Sequence, residues 1–229
     1  FPGGGAPKPP SLVAEVRSAF EGPILSGYGS TEAPIVTMAA VTDTDDELAR
    51  SEGKPTHGVE VRVIGADGRI VDPGGEGEIR LRAPQMMRGY LDPALDVEAF
   101  DDDGFFRTGD LGRLDELGNL VVTGRTKDVI VRKGENVSAK EVEDLIVLHD
   151  KVADVAVIGL PDPDSGERVC AVVQVSGDQV VSFDEIIVHL RDRGLMTQKL
   201  PEQLEIVDVL PRNASGKVLK HVLRDEFKG

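Results

Sequence analysis

Near the end of the chain, Asn213-Ala-Ser-Gly-Lys217 follows a Pro211-Arg212 corner. A Ser-Gly pair makes a small, flexible loop, and this loop presents one ammonium at its tip, able to reach an anion held elsewhere in the protein. Four glycine-punctuated segments precede it: Gly27-Tyr-Gly-Ser-Thr-Glu32, Arg107-Thr-Gly-Asp110, Gly124-Arg-Thr-Lys-Asp128 and Arg132-Lys-Gly-Glu-Asn136. In the first, Gly27 and Gly29 let backbone approach a flat ring. Tyr28 offers an aromatic face, Thr31 a hydroxyl for phosphate and Glu32 a hard oxygen ligand for Mg²⁺. Asp110 is a carboxylate able to accept two hydrogen bonds from a vicinal diol. The same residue types also fit plainer uses: Glu32 on the surface of a tight turn, Asp110 as a turn cap, Arg125 as a surface cation. Lys217 would then be a lysine in the first turn of a closing helix.

Together and in this order, the five segments resemble the motifs of the adenylate-forming enzymes: acyl-CoA synthetases, peptide-synthetase adenylation domains and firefly luciferase. The resemblance runs from Gly4-Gly-Ala-Pro7 to Lys217 and is most like an acyl-CoA synthetase, C-terminal half only. It implies that backbone at Gly5 and Ala6 forms one wall of an adenine pocket. Tyr28, between Gly27 and Gly29, would pack on adenine, Thr31 touch phosphate and Glu32 bind Mg²⁺. Asp110 and Arg125 would hold the ribose. Lys127 falls at the family's hinge, with a solvated linker lysine as the alternative. Lys133-Gly134-Glu135 resembles the loop along which the family runs the pantetheine of coenzyme A, with a plain β-turn as the alternative. Lys217 would bridge the substrate carboxylate and the α-phosphate as charge moves between them.

The implied reaction joins a carboxylic acid to ATP as acyl-AMP, releasing pyrophosphate. The small domain then rotates about Lys127, withdraws Lys217 and guides CoA thiol onto the adenylate. Positioning and charge stabilisation do most of that work. The family's phosphate loop is expected upstream of Phe1, so the remainder of the same enzyme is an expected partner and the 229-residue chain alone is expected not to form adenylate. No carrier domain is expected after Gly229, and free CoA is the expected thiol. The rivals are an adenylating enzyme that loads a carrier protein and a non-catalytic nucleotide-binding module. Met86-Met87 reads as packing and does not identify the acid.

A net charge of −15 disfavours an electrostatic grip on nucleic acid. No apolar run is long enough to span a bilayer, and no signal-peptide pattern is present. The single cysteine, Cys170, lies in the apolar run Val169–Val175 and reads as a small buried hydrophobe, which fits a reducing, cytoplasmic setting. His57, His149, His189 and His221 show no metal-ligand spacing and read as structural or surface residues.

The elements that position these residues fall into an α+β, multi-domain pattern. Residues 1–126 read as the C-terminal part of a large AMP-binding domain: an α/β piece over 1–50, then a small β-rich, barrel-like subdomain over 51–126. Residues 127–229 read as a mobile α+β domain. Leu12, Val13, Val16, Ala19 and Phe20 have helical spacing, and a short strand near Pro23–Ser26 enters the Gly27 turn. Asp43–Glu47 is expected as a solvated loop. Val59–Ile64 with a turn at Gly65–Gly68, Gly77–Arg82, and Leu120–Thr123 after Gly118-Asn119 read as strands and hairpins, with Asp110 at the start of a strand. A hairpin is expected around Val129–Val137, capping boxes at Ser138–Glu141 and Ser182–Glu185, and strands over Val152–Gly159 and Arg168–Val175. Gly194 stops the second of these helices, and a last helix carries Val218, Leu219, Val222 and Leu223.

Overall fold

The computed structural model describes residues 2–3, 11–214 and 216–228, and the chain divides into two units, residues 1–126 and 127–229. In the first, helix α1 (Ser11–Phe20) and helix α2 (Asp45–Arg50) meet over Val13, Ala39 and Leu48. The α2 helix corrects the expected loop at Asp43–Glu47. The Thr44 hydroxyl accepts the Glu47 N–H and the Glu47 carboxylate accepts the Thr44 N–H, a reciprocal cap. Three acidic side chains in the first turn suit the positive end of the helix dipole, and Leu48 is fully buried.

Strands β1 (Glu60–Ile64), β2 (Gly77–Arg82), β3 (Phe106–Leu114) and β4 (Leu120–Arg125) form one antiparallel sheet in that order. Alternation drives it: Ile79 and Leu81 of β2 are buried while Arg82 faces out. The turn after β1 closes only on a single bridge, Ile64 to Ile70, so the ladder partner of β1 is β2, beyond that loop. Asp115 makes the β3–β4 turn by accepting the N–H groups of Leu117 and Asn119. Asp110 lies in the middle of β3, not at its start.

The second unit opens with the hairpin β5 (Val129–Arg132) and β6 (Glu135–Ser138), followed by helix α3 (Ala139–Ile146). Next come the long hairpin β7 (Val152–Asp162) and β8 (Gly166–Val175), helix α4 (Phe183–Asp192), strand β9 (Gln203–Val207) and helix α5 (Lys220–Phe227). The strand β9 was not anticipated from sequence; it pairs parallel to β8. Both faces of β7 and β8 are covered, which explains their near-continuous apolar runs. Val155, Val157, Val169, Ala171 and Val173 pack with α3 and α4, whereas Ala156, Ile158, Leu160, Cys170 and Val172 pack with Leu210 and Leu223.

Ser182 and Glu185 form the expected reciprocal cap on α4. At α3 the Ser138 hydroxyl accepts the Glu141 N–H, while the Glu141 carboxylate is drawn to Lys199 at 2.6 Å. Among the described residues no helix is long and apolar enough to cross a membrane.

Candidate active site

Tyr28, Asp110 and Arg125 converge. The Tyr28 hydroxyl donates to Asp110 Oδ2 at 2.6 Å, and Arg125 Nε donates to Asp110 Oδ1 at 2.8 Å. Asp110 and Arg125 are register partners across β3 and β4, so the ladder itself sets them face to face. Asp110 is buried and Arg125 exposed. The Asp110 N–H is held by the Thr108 hydroxyl at 3.0 Å.

Tyr28 is fixed from its own backbone: its carbonyl accepts the N–H groups of Val36 and Thr37, and its N–H donates to Thr37 Oγ1. The flanking glycines serve this packing. A Cβ on Gly27 would lie 2.6 Å from the Thr37 carbonyl oxygen, and one on Gly29 would lie 2.6 Å from the Ile35 nitrogen. Burial, then the Asp110 charge, raises the Tyr28 pKa far above its ordinary value, so the phenol stays a neutral donor. With one bond on each oxygen, the Asp110 carboxylate keeps about two acceptor positions, enough for a vicinal diol.

Glu32 stands at the end of the same turn. Its pKa is lowered, first by its own backbone N–H, with burial opposing, and then by Ser30, Tyr90 and the charge of Arg125. The Tyr90 hydroxyl lies 3.3 Å from Glu32 Oε1. Thr31 is exposed beside it. Among the described residues no three His, Cys, Asp or Glu side chains converge on a metal site. A half-exposed, firmly ionised carboxylate nevertheless fits Mg²⁺, which is commonly held by one or two carboxylates and substrate phosphates.

In the second unit the candidates are spread out. Lys127 is exposed in the 3-10 turn Thr126–Asp128, and the neighbouring Asp128 pairs with Arg224 of α5 at 3.2 Å. Lys133 and Gly134 form the β5–β6 turn, both with positive φ (51° and 83°), and Glu135 follows, paired in register with Arg132. A Cβ on Gly134 would meet nothing within 4 Å of its own unit. This turn is anchored by the Lys133 N–H, which donates to the Ser165 carbonyl at 2.8 Å.

Lys217 does not lie in the first turn of a helix, the plainer use that its place in the sequence also allowed. The helix starts at Lys220, and Val218 instead bridges to Arg212, which closes an exposed loop. Arg212 ties that loop to Asp154. Asp154 is near the start of β7 and Ser165 just past its end, so the two anchors are about 26 Å apart along the strand. Gly5 and Ala6 lie outside the described residues.

The family model for AMP-binding enzymes matches residues 1–91, and the model for the AMP-binding enzyme C-terminal domain matches residues 141–217. The chain belongs to the adenylate-forming enzymes. The medium-chain fatty-acid–CoA ligase of Escherichia coli (strain K12) is 39% identical over 209 residues, covering 89% of this chain and 36% of that protein. The salicyl-AMP ligase / salicyl-S-ArCP synthetase of Mycobacterium tuberculosis is 36% identical over 222 residues, 96% of this chain and 39% of the relative. ATP-bound MatB from Rhodopseudomonas palustris matches with a TM-score of 0.92 at 35% identity, over 100% of this chain and 45% of that one. The chain thus spans less than half the length of these adenylate-forming relatives. Thr37, which holds Tyr28, and Tyr90, which meets Glu32, were not among the expected site residues: Thr37 lies just after the first glycine segment, whereas nothing in the sequence ties Tyr90 to Glu32, 58 residues before it.

Proposed function

We propose that this chain is the C-terminal part of an ATP-dependent acid–thiol ligase. Its first unit would bind the nucleotide, and its second would supply Lys217 and then the Gly134 turn. The observation that carries the proposal is Asp110, held between Tyr28 and Arg125 with acceptor positions to spare. In this reading Asp110 accepts the ribose hydroxyls, Arg125 steadies the same sugar and Tyr28 lies against adenine. Thr31 contacts phosphate. Glu32 would hold Mg²⁺, which when bound offsets phosphate charge. Gly5 and Ala6 are assigned the remaining adenine wall.

Lys217 is proposed as the catalytic cation. Its ammonium neutralises the carboxylate nucleophile and the α-phosphate while the new C–O–P linkage forms and pyrophosphate leaves. The second half-reaction needs a thiol at the same carbonyl, with AMP as leaving group. The turn at Lys133, Gly134 and Glu135 suits that delivery, because Gly134 presents bare backbone outward. Exchange of the two loops requires rotation, and Lys127, exposed at the junction, is the proposed hinge.

CoA is the proposed thiol, with a hydrophobic carboxylate as the acid. The similarity to a salicyl-S-ArCP synthetase supports a second reading, in which the thiol belongs to a carrier protein. The test uses the full-length protein, ATP, a carboxylate panel and either CoA or a holo-carrier protein. Thioester formed with CoA alone supports the first reading, and thioester formed on the carrier alone supports the second. Absence of AMP release across the panel would overturn both.

A further inference from the structure

Glu143 is an ionisable group facing inward from α3 with no part in the reaction outlined above. Its Oε1 accepts the Val157 N–H at 2.7 Å and lies 2.7 Å from Lys220 Nζ. Both side chains are mostly buried, 21% exposed for Glu143 and 17% for Lys220. A buried ion pair is seldom worth more than a matched apolar pair, and its best-attested use is to select one arrangement over others. A cation in the first turn of a helix also opposes the helix dipole. Lys220 occupies that first position in α5. Both costs call for a reason at this place.

The reason lies three residues earlier. Between Lys217 and Lys220 the chain has little freedom: Val218 bridges to Arg212 and the Leu219 N–H donates to the Pro211 carbonyl at 2.8 Å. Within the loop, the Lys217 N–H donates to Asn213 Oδ1 at 2.9 Å, and Arg212 bonds both the Gly216 carbonyl and Asp154. The loop is therefore held at two posts, Asp154 before it and Glu143 after it. Leu223 is the only fully buried apolar residue of α5, with Val218 and Phe227 packed beside it, so apolar contact alone sets its rotation and axial position weakly.

We propose that Glu143 is a positioning residue for Lys217: by gripping Lys220 it sets the start of α5 and with it the reach of the Lys217 ammonium. This rests on the reading of Lys217 as the adenylation cation. A misplacement of about 1 Å at a reacting centre costs up to ~100-fold in rate, which sets the scale of the effect.

The test separates the half-reactions in the full-length protein: ATP–pyrophosphate exchange for adenylation, and thioester formation from supplied acyl-AMP. Glu143→Gln is expected to slow adenylation by about 10- to 100-fold and to leave the thioester step unchanged, while Lys220→Arg, which with Glu143 intact keeps the pair, is expected to retain most of the adenylation rate. Lys217→Ala is run alongside. If Lys217→Ala abolishes adenylation but Glu143→Gln does not slow it, or slows both half-reactions alike, the positioning role is wrong. If Lys217→Ala leaves adenylation intact, the underlying reading fails and the inference with it.

Should Glu143→Gln fold poorly, amide exchange on the Lys220→Arg and Lys220→Met variants of the full-length protein provides an independent reading. Faster exchange at Lys217 in the methionine variant alone, with Val172 still protected, supports the proposal. Equal exchange at Lys217 in both overturns it.

Discussion

Lys217 and Gly134 sit on loops fastened toward opposite ends of the same strand. Arg212 ties the first loop to Asp154, near the start of β7, and the Lys133 N–H ties the second to Ser165, just beyond its end. The sheet between them is buried on both faces, so the separation is built into a rigid core. On the reading proposed above, one cleft can use these two loops only in turn. The same fold that separates them thereby orders two chemical steps.

The Tyr28–Asp110 bond predicts a graded loss of nucleotide affinity. Tyr28→Phe keeps the ring and removes one donor, so AMP binding by calorimetry should weaken by about 1 kcal/mol. Asp110→Asn removes the charge that Arg125 and the ribose hydroxyls share, and should weaken it by about 1.5–3 kcal/mol. AMP affinity unchanged in Asp110→Asn would remove Asp110 from the site.

Glu32 should govern the metal requirement. Its pKa is lowered from the ordinary value near 4.5, so the carboxylate is charged at neutral pH. Glu32→Gln should raise the Mg²⁺ concentration for half-maximal adenylation several-fold, about tenfold for loss of one charged ligand. Tyr90→Phe, which removes only the hydroxyl beside Glu32 Oε1, should act in the same direction and less strongly. A Mg²⁺ titration on the three proteins decides it, and identical curves would count against Glu32.

Cys170 reports on the second unit. It is fully buried on β8, and burial pushes its thiol up to about 12 from an ordinary value near 9. The folded protein therefore keeps this proton where the unfolded chain has lost it, so the stability contribution is complete below pH 9 and is lost as pH rises from about 9 toward about 12. Urea denaturation at pH 8 and pH 10.5 should show a steeper loss for the native protein than for Cys170→Ala. Labelling with a thiol reagent at pH 8 should proceed only as fast as the unit opens. Immediate labelling would contradict the burial.

Much of this architecture could be read in the sequence because the informative contacts are local. Alternation marked β2 and the core of β7 and β8, and Ser182 with Glu185 marked α4. The helix α2 was missed although its signal, Thr44 three residues before Glu47, was present: a run of acidic residues with one buried leucine resembles a solvated loop. Strand β9 was missed because Gln203-Leu-Glu-Ile-Val207 has no turn signal of its own and is defined by parallel pairing with β8. The start of the last helix was placed too early because Val218 and Leu219 have helical spacing, whereas the bridge to Arg212 competes for Val218. The contacts that shape the candidate site, Tyr28 with Asp110, Tyr90 with Glu32 and Glu143 with Lys220, join residues far apart in sequence. Residue types announced the chemistry there, but only the fold showed who holds whom.

The most direct measurement compares Lys217→Ala with Gly134→Leu in the two half-reactions of the full-length protein. Gly134 has φ 83°, so Leu strains the turn by about 1 kcal/mol as well as filling the outward space, and Gly134→Asn, which tolerates that φ, controls for the strain. Lys217→Ala should lose pyrophosphate exchange and still convert supplied acyl-AMP to thioester, while Gly134→Leu should do the reverse. Equal losses in both half-reactions for each variant would contradict it.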